Sequence, residues 1–374
     1  MARAPLNRSP AFLATSLALA ALLVAWSHQA HAGSIWKAAP PLADMLNKAA
    51  GKDTRLVIKL TTRWCTPCLK LEAELTTTAV MTHLGAYHRL AYDGQSGEGL
   101  DIAKRFNVVT FPTLLLIDAR ARELGRVSGY RSAPALLAEL RGIEDGSFSL
   151  DRLEKALSQS PDDLALQLKL GRAWALRGER ARAEKHLDRI LTLARGGNKI
   201  PAEKKAAAQT LAPGALFIRG KLLELLSLKD PARAERTLRT LAAAYPSGAE
   251  AKRAGLYIAW AMMDQGKAKA GLRALSRWAR GDAGRELAAA TLCLRDDRAL
   301  DAAARHARGA VALSPDSGAA WATLGRALFR VDRTRLAAEA MAQAVERSPD
   351  HPGYRQAMAL YRKRLVQETR QKGK

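Results

Sequence analysis

The sequence changes character near residue 148, and this change constrains the fold more than any other feature. Before that point, β-type runs alternate with helical stretches. After it the β-type runs stop, and apolar residues recur at helical spacing to the end of the chain. A chain of 374 residues is also longer than one compact domain usually is. We therefore predict an α/β domain over residues 33–147 and an all-α region over residues 148–374.

The order of elements predicted in the first domain is α, β, α, β, α, β, β, α. Helices are expected at 41–50, 64–75, 101–106 and 134–143, and strands at 55–61, 87–93, 113–118 and 125–129. Elements in this order form a small sheet covered by helices.

The all-α region contains a repeating unit. Ala303 and Ala337 are 34 residues apart, and so are Pro315 and Pro349. Small residues let two helices approach closely, and a proline ends the second helix. One such pair cannot bury its apolar face alone, so successive pairs are expected to stack.

The clearest unit, WATLGRAL at residues 321–328, resembles the tetratricopeptide pattern. This resemblance implies a superhelix of about five helix pairs with a groove that holds a peptide or another protein. The interval from Ala183 to Ala234 is 51 residues instead of 34. We interpret residues 195–214, which are rich in Gly, Pro and Lys, as an inserted loop.

Two cysteines, Cys65 and Cys68, stand three residues apart at the expected start of a helix. Unpaired N–H groups and the helix dipole favour the thiolate of the first, and the second can then attack a mixed disulfide. Pro67 suits a first helical turn because it has no N–H to leave unpaired. A structural disulfide or half of a zinc site is the alternative. Cys293 lies in an apolar helical stretch, and we predict a buried, unreactive thiol.

The tryptophan and CxxC motif at 64–68, followed by Phe-Pro-Thr at 111–113 before an apolar strand, resembles the thioredoxin superfamily. The similarity is nearest to the reducing domain of bacterial transmembrane thiol-transfer proteins. It implies that Cys65 is the nucleophile, Cys68 the resolving cysteine and Pro112 a cis-proline that faces the disulfide. The implied substrate-binding residues are Trp64, Phe111, Pro112 and Thr113, and the residues expected to tune the pair are Thr66, Pro67, Lys59 and Glu72.

Lys59 departs from that pattern, because thioredoxins usually have a buried carboxylate six residues before the first cysteine. A lysine that points towards the cysteines would stabilise the thiolate and make the pair more oxidising. A lysine that extends outward would do neither. Glu72 is a candidate to replace the missing acid.

Residues 1–32 have the features of a secretory signal. A basic start is followed by an apolar run at 11–26 and by small residues at Ala30 and Ala32. We expect export to the periplasm or another extracytoplasmic compartment, with the signal either cleaved or kept as a membrane anchor.

The positive charge is concentrated in the helical region. Residues 33–147 hold 15 Lys and Arg against 12 Asp and Glu, whereas residues 148–374 hold 43 against 24. Such a surface attracts an acidic protein partner or an anionic membrane. Export and an aromatic content of 5% argue against a nucleic-acid partner.

Together these features predict an exported thiol–disulfide oxidoreductase that reduces client proteins, with the repeat region docking partners. We expect no metal and no cofactor beyond the Cys65–Cys68 disulfide. The expected partners are client proteins with cysteines and a membrane thiol-transfer electron donor. The alternative is a non-catalytic tetratricopeptide scaffold whose thioredoxin fold is structural.

Overall fold

A computed structural model of the chain describes residues 36, 40–51, 54–62, 65–196, 200–295 and 299–372. The predicted signal at 1–32 and the side chain of Trp64 lie outside these ranges. Residues 36–374 form one compact unit, which includes both predicted domains. Among the described helices, none combines the length and the apolar character needed to cross a membrane.

The α/β domain is built on a four-stranded mixed sheet with the order β2-β1-β3-β4. The strands are β1 (Leu56–Thr61), β2 (His88–Asp93), β3 (Thr113–Ile117) and β4 (Glu123–Ser128). β1 is parallel to β2 and antiparallel to β3, and β4 is antiparallel to β3. The helices are α1 (Leu42–Ala50), α2 (Thr66–Leu75), α3 (Thr78–His83), α4 (Gly97–Arg105) and α5 (Ala133–Glu144). The short helix α3 was not predicted from the sequence.

Strand β1 is buried because helices cover both faces of the sheet. Leu56, Ile58 and Leu60 pack into one core cluster with Ile102 of α4. Side chains alternate between the two faces of a strand, so Lys59 projects towards the opposite face, which α2 covers. Because of this alternation, the charged side chain of Lys59 lies in the interior beneath α2.

The rest of the chain is helical. After α6 (Leu150–Gln159), the described residues form five helix pairs and a closing helix, α17 (Pro352–Lys372). The pairs are α7 (Leu164–Ala175) with α8 (Arg180–Arg195), α9 (Ala202–Phe217) with α10 (Pro231–Ala244), α11 (Ala249–Asp264) with α12 (Ala268–Ala279), α13 (Ala283–Leu294) with α14 (Leu300–Leu313), and α15 (Gly318–Arg330) with α16 (Thr334–Arg347).

The last pair shows why the small residues of the repeat are needed. A methyl group added at Gly325 would lie 3.1 Å from the carbonyl oxygen of Ala337, so a larger side chain would push α15 and α16 apart. Leu324, Leu328 and Met341 fill the adjoining space. The predicted fold class, an α/β domain followed by an all-α repeat region, is confirmed.

The predicted loop at 195–214 is wrong. Residues 202–217 form α9, and a π-helical segment, Ile218–Ser227, continues from it. Alanine, lysine and glutamate favour helix strongly, and their abundance at 202–212 outweighs the turn signals around them. The interval of 51 residues therefore reflects a longer first helix in this pair, not a loop.

The repeat packing predicts a large effect at Met341, which is completely buried. Met341→Ala should lower the free energy of unfolding by about 2–5 kcal/mol, because it leaves a cavity between packed helices. The matched control is Leu336→Ala in the same helix, where the side chain is 40% exposed and the change should stay within about 0.5 kcal/mol. Urea unfolding followed by circular dichroism measures both, and equal losses would contradict this packing.

Candidate functional site

The two cysteines form a disulfide at the N-terminus of α2. Cys65 has an extended backbone and caps the helix, and its sulfur accepts a hydrogen bond of 3.1 Å from the backbone N–H of Cys68. The Sγ atoms are 2.08 Å apart. Cys65 is 2% exposed and Cys68 is 5% exposed. Pro67 occupies the first turn, as the missing N–H predicts.

Thr110 and Phe111, in the loop before β3, line the same cavity as Cys65. The Phe111–Pro112 peptide bond is cis, and the Pro112 carbonyl accepts a hydrogen bond of 2.8 Å from the N–H of Gly129. Thr113 begins β3, and its hydroxyl donates to the Thr110 carbonyl at 2.8 Å. Because of these bonds, β3 and the turn after β4 hold the loop in place.

Lys59 does not extend outward. It is buried, and its Nζ lies 2.5 Å from Oε2 of Glu72, which belongs to α2, and 4.9 Å from the ring centroid of Trp36. Burial lowers the pKa of Lys59, and the nearby Glu72 carboxylate partly opposes that shift. The position that usually holds a buried acid therefore holds a buried ion pair.

A cavity of about 740 Å³ opens where the α/β domain meets the helical region. Cys65, Pro67 and Phe111 form part of its wall on one side, and Tyr257 and Trp260 of α11 form part of it on the other. Three predicted site residues are thus brought together at one surface. Cys68, Pro112, Thr113, Lys59 and Glu72 are not among the described residues that line this cavity.

Comparisons with known proteins agree with this geometry at the level of one domain. A family model described as a thioredoxin-like domain matches residues 42–144. Residues 42–144 form a thioredoxin-like domain. No curated protein matches the chain.

Several solved structures are similar to parts of the chain. A thioredoxin from Thermus thermophilus is 26% identical, with 29% of this chain and 85% of that chain covered and a TM-score of 0.26. The DsbH oxidoreductase is 20% identical, with 30% and 85% covered and a TM-score of 0.26. YrrB, a TPR protein with an unusual peptide-binding site, is 16% identical, with 57% and 97% covered and a TM-score of 0.32.

The C-terminal end of the tetratricopeptide-type region contacts the helix of the cysteine pair. The Nε2 atom of His351 lies 2.9 Å from the carbonyl oxygen of Leu69 in α2. A carbonyl only accepts, so the histidine N–H is the donor. Burial lowers the pKa of His351, and its ring stacks on Tyr354 with centroids 3.7 Å apart. Nothing in the local sequence singles out a contact between residues 282 positions apart.

The N-terminal end of the repeat region contacts strand β4 of the thioredoxin-like domain. Arg126 of β4 donates to the carbonyls of Phe106 at 2.6 Å and Leu176 at 3.1 Å. Glu123 accepts hydrogen bonds from both Arg126 and Arg177. These bonds join the thioredoxin-like domain to the end of α7.

The third cysteine is separate from the pair. Cys293 is a buried free thiol in α13, as predicted, and burial raises its pKa to about 12. In the part of the chain that the structure describes, no group of three or more His, Cys, Asp and Glu side chains is placed to hold a metal ion.

The buried ion pair predicts a stability effect. Glu72→Gln should lower the free energy of unfolding by about 3–5 kcal/mol near neutral pH, because it leaves the Lys59 ammonium buried without its carboxylate. The pKa of Lys59 is already below its ordinary value of 10.5, so the unfolded chain binds that proton more tightly. The loss should therefore shrink as the pH rises towards that ordinary value.

The control for this prediction removes both charges. Lys59→Met combined with Glu72→Gln should stay close to the wild-type free energy of unfolding, since no unpaired charge remains. Urea unfolding of both variants at several pH values makes the comparison. An equal loss in the double variant would show that the ion pair is not the cause.

Proposed function

We propose that this chain is an exported thiol–disulfide oxidoreductase that reduces disulfides of client proteins. The observation that supports this best is the position of Cys65, which caps α2 and contributes to the wall of the cavity. Cys68 follows in the first turn and does not line the cavity. A client sulfur that entered the cavity would therefore meet Cys65 first.

The proposed cycle begins with both cysteines reduced. The Cys65 thiolate attacks one sulfur of the client disulfide; a bond between the two sulfurs forms, the client S–S bond breaks, and the departing client sulfur takes a proton. The Cys68 thiolate then attacks Cys65, restores the Cys65–Cys68 disulfide and releases the second client thiol. Two electrons pass to the client, so a dithiol donor must reduce the pair again.

Several residues would assist this cycle. The N–H of Cys68 points at the Cys65 sulfur, and donation to sulfur favours the thiolate over the thiol. Backbone groups around Phe111 would contact an extended substrate beside the cis bond. The Lys59–Glu72 pair would set the charge beneath α2. Because the Glu72 carboxylate lies 2.5 Å from the ammonium of Lys59, which occupies the position of the missing buried acid, Glu72 is the proposed substitute for that acid.

Localisation and partners follow from the same proposal. The basic and apolar pattern of residues 1–32 supports export, and outside the cytoplasm a membrane thiol-transfer protein is the proposed dithiol donor. The tetratricopeptide-type region would hold the client near Cys65 and raise its effective concentration.

Insulin reduction tests the activity. With dithiothreitol as donor, the wild-type chain should accelerate reduction, and Cys65→Ser should return the rate to that of dithiothreitol alone. Cys293→Ser is the matched control and should keep wild-type activity, because that thiol is buried in α13. For a reductase, the reduction potential of the pair should lie nearer the thioredoxin value of about −270 mV than the DsbA value of about −120 mV.

The opposite results favour the alternative function, a non-catalytic tetratricopeptide scaffold. A disulfide that never exchanges in the folded chain, combined with intact protein binding, would assign a structural role to the cysteine pair. That alternative has one observation in its favour, since Cys65 is 2% exposed. Active exchange with a reduction potential near the DsbA value would instead mean that the chain oxidises its clients.

A further inference from the structure

The cavity wall that contains Cys65 is strongly basic. Its charged side chains are Lys70, Arg131, Arg172, Lys221, Arg253 and Arg295. Of the described residues in that wall, none is acidic. Two of the basic residues have a carboxylate close by, since Arg131 pairs with Glu139, and Arg295 lies 2.8 Å from Asp264.

The other four basic residues lack such a partner. Within the described residues, no carboxylate lies within 4.0 Å of the charged groups of Lys70, Arg172, Lys221 or Arg253. Burial and then the positive charge of Arg131 lower the pKa of Arg172; the Glu139 carboxylate, which pairs with Arg131, opposes that shift, and Arg253 adds a smaller lowering. Like charges gathered at one wall repel each other, and an anion that binds there relieves the repulsion.

Aromatic rings hold some of these basic groups along the wall. The Nζ of Lys221 lies 4.6 Å from the ring centroid of Tyr257, and the guanidinium of Arg253 lies 4.9 Å from that of Phe217. Tyr257 stacks on Trp260 with centroids 6.2 Å apart. Cations above aromatic rings keep their charge accessible while the rings offer apolar surface. The wall therefore suits a ligand that is both acidic and partly apolar.

The size of the cavity and the position of Cys65 restrict further which class of ligand can bind there. Cavities of roughly 300–1,000 Å³ hold drug-sized molecules, so a short extended segment fits here and a folded domain does not. A ligand that uses the sulfur of Cys65 must itself carry sulfur. An acidic polypeptide segment with a disulfide meets both conditions.

We propose that the cavity binds an extended client segment rich in Asp and Glu, which presents its disulfide to Cys65. Arg172 and Arg253 on the repeat region bind the carboxylates, while Lys70 in α2 attracts those nearest the reacting sulfur. This inference rests on the proposed function for the redox step, but the charge preference exists in the oxidised protein as well. The repeat region therefore selects the client and the thioredoxin-like domain reduces it.

Binding to the oxidised chain tests the charge preference without any redox step. Two fluorescent peptides of equal length without cysteine, one rich in Asp and Glu and one rich in Lys and Arg, are compared by anisotropy. The acidic peptide should bind at least about tenfold more tightly, and the difference should nearly vanish in molar salt. Equal binding of the two peptides would overturn the proposal.

Charge-reversal variants locate the site. Arg172→Glu with Arg253→Glu should reduce binding of the acidic peptide by about tenfold or more. The matched control, Arg273→Glu with Arg308→Glu, makes the same charge change at exposed positions outside the cavity wall and should have a small effect. Arg172→Gln with Arg253→Gln, a milder change, serves if the first variant does not fold. An equal loss in the control variant would mean that net charge, not this cavity, binds the peptide.

The redox step is tested separately with disulfide-containing versions of the same peptides and dithiothreitol as donor. The acidic peptide should have the higher kcat/KM by about tenfold, and the cavity variant should remove that preference, whereas the Arg273→Glu with Arg308→Glu control should keep it. Reduction without charge preference would refute this inference and leave the proposed function intact. Selective binding without any reduction would refute the proposed function alone. A single-stranded oligonucleotide that binds the same residues while neither peptide does would assign the cavity to nucleic acid and overturn the proposal.

Discussion

Two hydrogen-bonded contacts hold the ends of the repeat region against the thioredoxin-like domain. At one end, His351 donates to the Leu69 carbonyl of the helix that begins at the cysteine pair. At the other, Arg126 donates to the Leu176 carbonyl that ends α7. Because the chain between these contacts is a stack of helix pairs, fixing both ends places its inner residues, including Tyr257, opposite Cys65.

Charged side chains are used in two different ways in this molecule. In the framework, buried charges are paired at Lys59–Glu72 and at Arg126–Glu123, where the partner offsets the cost of leaving water. In the cavity wall, Lys70, Arg172, Lys221 and Arg253 face one space without described carboxylate partners. The first arrangement maintains the fold, whereas the second leaves charge available for a ligand. Cys65 and the basic residues therefore line one cavity, to which both domains contribute.

The features that could be predicted from sequence are local ones. The short β-type runs predict the four strands of the sheet, and the small residues Gly325 and Ala337 predict the close approach of α15 and α16. Contacts between distant residues leave no local signal, so the sequence does not predict the bond from His351 to Leu69. Lys59 is expected either to point towards the cysteines or to extend outward, and neither expectation includes its bond to Glu72. Gly and Pro residues predict a loop at 195–214, but the alanine-rich run among them has a high helix propensity and forms α9.

The basic cavity lined by both domains should be the route by which reagents reach Cys65. Alkylation of the reduced chain by iodoacetate, which is anionic, and by iodoacetamide, which is neutral, tests this route. The rate with iodoacetate divided by the rate with iodoacetamide should be several-fold higher at Cys65 of the folded chain than in a peptide of residues 60–72 at low salt, and molar salt should abolish the difference. Equal ratios in the chain and the peptide, or a Cys65 that reacts only after the chain is unfolded, would show that Cys65 is not reached through this cavity.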